Sequence, residues 1–120
     1  MNQKERMLAG LPYKAWLDGL TEEREENKKR IYRYNNTPPE QGEELGALIR
    51  EIIGKCGKNI FIEPPFRCDY GSNIEVGENF FANYNLTILD VGKVTIGKNG
   101  PCSAWVEELW LKKVMPLSSN

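Results

Sequence analysis

Between residues 60 and 99 large apolar residues recur every six positions: Ile62, Cys68, Ile74, Phe80 and Leu86, then Val94 after a two-residue slip. A second series sits two residues on, at Pro64, Tyr70, Val76, Ala82 and Ile88, and resumes at Ile96. Side chains repeat every 3.6 residues on an α-helix and every 2.0 on a strand, so neither element gives this rhythm. A six-residue repeat predicts a parallel β-helix, with one short strand and one turn per repeat. Three such faces make a coil of about 18 residues, so this stretch supplies little more than two coils. The phrases I-E-V-G-E-N and V-T-I-G-K-N stand twenty residues apart and are near copies. Gly71, Gly77, Gly92 and Gly97, with Asn59, Asn73, Asn79 and Asn99, punctuate the run at expected turns, where left-handed backbone is tolerated. Pro64 and Pro65 donate no ladder hydrogen bond and belong at the exposed start of the coil.

Upstream the period is helical. Residues 3–9 predict a short helix ending at Gly10, with Pro12 as a stop. Thr21 is an expected N-cap for the charged segment T-E-E-R-E-E-N-K-K-R-I-Y-R-Y-N-N, which has acids in its first turn and bases in its last. Its apolar face is thin, chiefly Leu20, Ile31 and Tyr34, and Tyr32 with Tyr34 is expected to pack between helix and coil. Thr37 predicts a second cap, with Pro38 at the first helical position and Glu40 three residues after the cap. Leu45, Leu48, Ile49, Ile52 and Ile53 then form an amphipathic stripe that ends at Gly54 or Gly57. Residues 1–57 therefore read as a helical hairpin packed on the coil at 58–99. From residue 100 to 120 the six-residue rhythm is absent, and Val106, Leu109, Trp110 and Val114 suit a short helix covering the open end of the coil.

The 120 residues carry a net charge of −1, which argues against nucleic acid or an anionic membrane as the main partner. No apolar run approaches the roughly 20 residues that cross a bilayer. The N-terminus lacks the apolar core of a signal peptide, and the expected location is cytoplasmic. Three cysteines form no C-x-x-C pair, so neither a disulfide framework nor a metal site is expected, and Cys68 reads as a core filler. The sequence contains no histidine, so no imidazole base is available to this chain.

Two blocks resemble the maltose and galactoside O-acetyltransferases of the hexapeptide-repeat acyltransferases. The first comprises M-L-A-G-x-x-Y, L-T-E-E-R and Y-x-Y-N-N-T-P-P, similar to the family's helical maltose-acetyltransferase segment. The second is E-P-P-F-R-C-D-Y-G-S-N-I-E-V-G-E-N-F-F-A-N-Y-N-L-T-I-L-D, similar to the first coils of the family's left-handed β-helix. The resemblance implies an α+β chain: a helical segment over 1–57, an incomplete left-handed parallel β-helix over 58–99, and a divergent tail over 100–120. It implies transfer of an acetyl group from acetyl-CoA to a sugar hydroxyl, in a homotrimer. It also implies Asn83, Asp69, Asp90 and Arg24 as acceptor-binding residues. Galactoside-specific relatives carry an acidic residue where this chain has Ala15 and a tyrosine where it has Phe81, so a glucose- or maltose-like acceptor is open beside a galactoside. The family continues into T-x-x-H-P, which supplies its catalytic histidine, whereas Asn99 is here followed by G-P-C. The chain is therefore expected to be truncated before that histidine and to lack most of the acetyl-CoA site. A carboxylate near pKa 4 is a poor substitute base. The resemblance thus implies an inactive acetyltransferase chain, or else a remnant that binds sugar or joins full-length subunits.

Overall fold

The computed structural model describes residues 1–99, so the helix expected in the tail lies outside the described residues. Three helices come first: α1 (Gln3–Leu8), α2 (Leu20–Asn35) and α3 (Gly42–Ile52). Six short strands follow: β1 (Ile60–Ile62), β2 (Phe66–Cys68), β3 (Ile74–Glu78), β4 (Phe80–Ala82), β5 (Leu86–Ile88) and β6 (Val94–Asn99). Helices and short parallel strands are the coarse class that the sequence predicts.

Each strand pairs in parallel with the strand three further on, giving sheets β1–β4, β2–β5 and β3–β6. Ile60 lies opposite Phe80, Phe66 opposite Leu86 and Ile74 opposite Val94, so the register repeats every 20 residues. This corrects the six-residue series. Two extra residues enter between β2 and β3 as well as between β5 and β6, so the inward positions before Ile74 are 60/62 and 66/68. Phe66, which neither series contains, is fully buried, whereas Pro64 lies in a corner as the cis partner of Pro65. The twenty-residue near copies mark the true repeat, because they lie on the paired strands β3 and β6.

Within each three-residue strand the outer two side chains point inward and the middle one outward, as pleating dictates. Ile62, Phe66, Ile74, Val76, Phe80, Ala82, Leu86, Ile88, Val94 and Ile96 form one buried cluster with Leu45, Leu48, Ile49 and Ile52 of α3 and with Ile53 just after it. The predicted stripe of α3 is thus its buried face. Close approach fixes two glycines where the end of α3 meets the corner after β2. A Cβ on Gly54 would lie 2.2 Å from the Ser72 carbonyl oxygen, and one on Gly71 (φ +77°) 2.3 Å from that of Ile52.

The predicted caps shift. α2 begins at Leu20 with Gly19 as N-cap, and α3 begins at Gly42 with Gln41 as N-cap. Thr37 instead closes α2, its Oγ1 donating to the Arg33 carbonyl at 2.6 Å. α2 carries little apolar surface and is held chiefly by polar side chains. Asn35 accepts from the Phe66 amide at 2.9 Å and donates to the Phe66 carbonyl at 3.0 Å. Tyr34 is buried and donates to the Ile62 carbonyl, and burial pushes its phenol up to about 12. Tyr32, expected to pack beside it, is 68% exposed.

Candidate functional site

The corner between β2 and β3 gathers three of the four polar residues that the resemblance implied, Arg24, Asp69 and Asp90. Arg24 reaches it from the second turn of α2. Its Nη1 donates to the Tyr70 hydroxyl at 2.7 Å and its Nη2 to Thr21 Oγ1 at 3.4 Å. The guanidinium carbon lies 5.8 Å from the Tyr70 ring centroid, near the outer limit of a cation–π contact, so the hydrogen bond is the stronger tie. Tyr70 itself is buried against Met7 and Leu20, with Tyr13 and Val91 alongside. Burial raises its phenol pKa, and the hydrogen bond from Arg24 opposes that rise.

Asp69 is half-buried beside this pair. Burial lifts its carboxyl above the ordinary carboxylate range, and the Arg24 charge pulls it back. A carboxylate that accepts and a guanidinium that donates can together bind a hydroxyl group in both of its hydrogen-bonding roles.

Asp90 lies behind this corner and is completely buried. Its Oδ1 accepts from the amides of Asp69 at 3.0 Å and Tyr70 at 2.9 Å, and its Oδ2 from the amide of Asn73 at 3.3 Å. Asn73 Nδ2 donates in turn to the Asp90 carbonyl at 2.8 Å. Burial raises the carboxyl pKa, and the amide donors act in the opposite direction. With both oxygens on backbone amides, Asp90 holds the corner that carries Asp69 and presents no atom to the surface.

Asn27, which the sequence reading did not single out, clamps the same corner from the helix side. It is fully buried, and its Nδ2 donates to the carbonyls of Cys68 at 3.3 Å and Asp69 at 3.1 Å and to Cys68 Sγ at 3.4 Å. A signal existed, because Asn27 is the one uncharged residue between Thr21 and Ile31. Cys68 fills space as predicted, and burial pushes its thiol up to about 12, far from a reactive thiolate.

Asn83 is elsewhere. It is exposed in the corner between β4 and β5, at the opposite end of β5 from Asp90, and makes no side-chain hydrogen bond among the described residues. Asn85, not Asn83, holds that corner: its φ is +66° and its amide donates to the Pro65 carbonyl at 2.8 Å. The structure therefore brings Arg24 and Asp69 together through Tyr70, places Asp90 beneath them, and leaves Asn83 apart.

Comparison with known proteins covers the same stretch. Residues 6–57 match the maltose acetyltransferase hexapeptide capping motif. Galactoside O-acetyltransferase of Escherichia coli K12 is 42% identical over 99 residues, which are 82% of this chain and 49% of that protein. The crystal structure of a maltose O-acetyltransferase from Clostridium difficile 630 superposes with a TM-score of 0.80 at 46% identity, covering 84% of this chain and 56% of the other. A galactoside acetyltransferase in complex with coenzyme A gives a TM-score of 0.77 at 42% identity, with coverage of 81% and 48%. The chain spans about half the length of the curated relatives it matches. Over that half it is similar to maltose and galactoside O-acetyltransferases.

Proposed function

We propose that this chain carries the acceptor-binding half of an acetyl-CoA-dependent sugar O-acetyltransferase. The observation that carries the reading is the Arg24–Asp69 corner, a paired donor and acceptor inside the stretch homologous to sugar acetyltransferases. Arg24 and Asp69 bind hydroxyls of a maltose-, glucose- or galactoside-like acceptor, and Asn83 contributes a further amide from its own corner. Asp90 and Asn27 position the backbone of Asp69 from two sides. In this reading residues 58–99 wind as the first two coils of a left-handed β-helix, capped by the helical segment 1–57, in a cytoplasmic homotrimer. Phe61 and Phe81, directly opposite each other on β1 and β4 and both exposed, support burial of that face by further subunits.

Acetyl transfer joins the sugar oxygen to the thioester carbonyl carbon, breaks the carbon–sulfur bond and needs a base for the hydroxyl proton. With no histidine, this chain lacks the family's base, and by itself it binds sugar without turning acetyl-CoA over. For the chain as given, the absent histidine favours the second reading, a non-catalytic module that binds sugar or joins full-length subunits. The test is release of coenzyme A thiol on mixing the chain, acetyl-CoA and maltose, glucose or galactosides, with sugar binding measured by calorimetry alongside. The expected result is binding without thiol release, and a loss of binding of at least about tenfold for Arg24→Ala, the size of one charge-assisted hydrogen bond. Turnover comparable to intact relatives contradicts the missing-base account. Binding indifferent to Arg24→Ala contradicts the site.

A further inference from the structure

The two layers of strands end differently. The outer edge of the first layer is taken by the chain itself: Asn35 holds the amide and carbonyl of Phe66, Tyr34 donates to the Ile62 carbonyl, and Lys55 bonds to Ile74 and Val76. The second layer has no such cover among the described residues, where β4, β5 and β6 pair only with β1, β2 and β3. In β4 the Phe80 amide donates to the Asn59 carbonyl at 2.9 Å and the Ala82 carbonyl accepts from the Glu63 amide at 3.0 Å. The amide and carbonyl of Phe81 between them therefore face the free edge. In β6 the Val94 amide donates to the Asn73 carbonyl at 2.9 Å, which turns the amide and carbonyl of Thr95 to the same edge.

The stretch after Asn99 does not suit this edge by sequence. Twenty residues on from the inward positions Phe80, Ala82, Leu86 and Ile88 stand Gly100, Cys102, Val106 and Glu108. Gly100 would leave the space of a phenylalanine side chain unfilled, and Glu108 would bury a charge. A second copy offers no free first layer to stack here, because its own is already taken. Resting on the acetyltransferase reading above, we propose that this edge docks hexapeptide-repeat strands of a different protein. Such strands carry apolar residues at the inward positions, continue the three parallel sheets, and bring the base that this chain lacks.

Co-expression of the full chain with the half of the Escherichia coli galactoside O-acetyltransferase that it does not match tests this. The two are expected to co-elute in gel filtration and to release coenzyme A thiol from acetyl-CoA together but not singly. Hydrogen exchange at the amides of Phe81 and Thr95 is expected to slow at least about tenfold in the pair, the scale of one added hydrogen bond. Thr95→Pro deletes a donor that the free chain does not use, so its urea midpoint is expected to stay while co-elution fails. A lowered midpoint for Thr95→Pro, or both amides already protected in the free chain, shows that the chain covers its own edge. Protection that grows with the concentration of the free chain assigns the edge to a second copy. Either result, or failure to co-elute, overturns the proposal. Co-elution and slowed exchange without thiol release keep the edge and overturn the acetyltransferase reading. Sugar binding by the free chain without co-elution leaves that reading standing and overturns the edge.

Discussion

Helix α2 packs chiefly on β2 and helix α3 on β1, by opposite means, and the difference separates what holds the chain together from what shapes the site. α3 buries Leu45, Leu48, Ile49 and Ile52 in the main core, a contact that is strong and tolerant of direction. α2 buries only Leu20, Asn27, Ile31 and Tyr34, and its polar side chains seize particular backbone groups at residues 62, 66, 68 and 69. Hydrogen bonds are weaker than apolar burial per contact but fix distance and angle. α3 supplies stability; α2 supplies placement, and Arg24 depends on that placement.

The largest expected break is in α3. Ile49→Ala should cost about 2–5 kcal/mol, as core truncations do, and shift the midpoint of the whole urea transition. A loss confined to α2 would reverse the assignment of roles. Next is Asn35→Ala, which orphans the amide and carbonyl of Phe66 and should cost about 1–3 kcal/mol. Hydrogen exchange should then quicken first along α2 and at residue 66, with α3 still protected. Equal quickening in both helices would dissolve the distinction.

A smaller effect sharpens it at the site. Asp69 holds its proton more tightly folded than unfolded, because burial disfavours its charged form. Between the two pKa values the folded state binds more protons, so this group's contribution to stability is present at low pH and lost as pH rises through the folded value. The stability of the wild type relative to Asp69→Asn should accordingly fall as pH rises across the carboxylate range, read from urea midpoints at several pH values. A rise with pH would place the carboxylate in a favourable ion pair instead. The smallest effect is on the outer face of α2. Lys29 and Glu26 are both exposed, and Lys29→Ala should move stability by no more than about 0.5 kcal/mol.

Much of this was legible in the sequence. The stripe from Leu45 to Ile53 named the buried face of α3, and the apolar rhythm placed short parallel strands in the right half of the chain. The phase was misread before Ile74 because both two-residue insertions sit in corners, where Tyr70 is apolar enough to pass for a strand residue. Buried at 3%, Tyr70 belongs instead to a separate cluster with Met7 and Leu20, formed by residues far apart in the chain. The caps at Thr21 and Thr37 failed because Gly19 in a left-handed turn and the bond from Thr37 back to Arg33 decide those ends. The resemblance implied Asp90 as an acceptor-binding residue, and its complete burial was not legible. Local sequence gives no sign that three amides 17 to 21 residues upstream converge on its carboxylate.

The most direct measurement is an amide and guanidinium chemical-shift map of the chain titrated with maltose. The account predicts the largest changes at Arg24 Nε and at the amides of Asp69 and Tyr70. Changes absent from Arg24 and Asp69, or centred on the far face at Phe61 and Phe81, would contradict it.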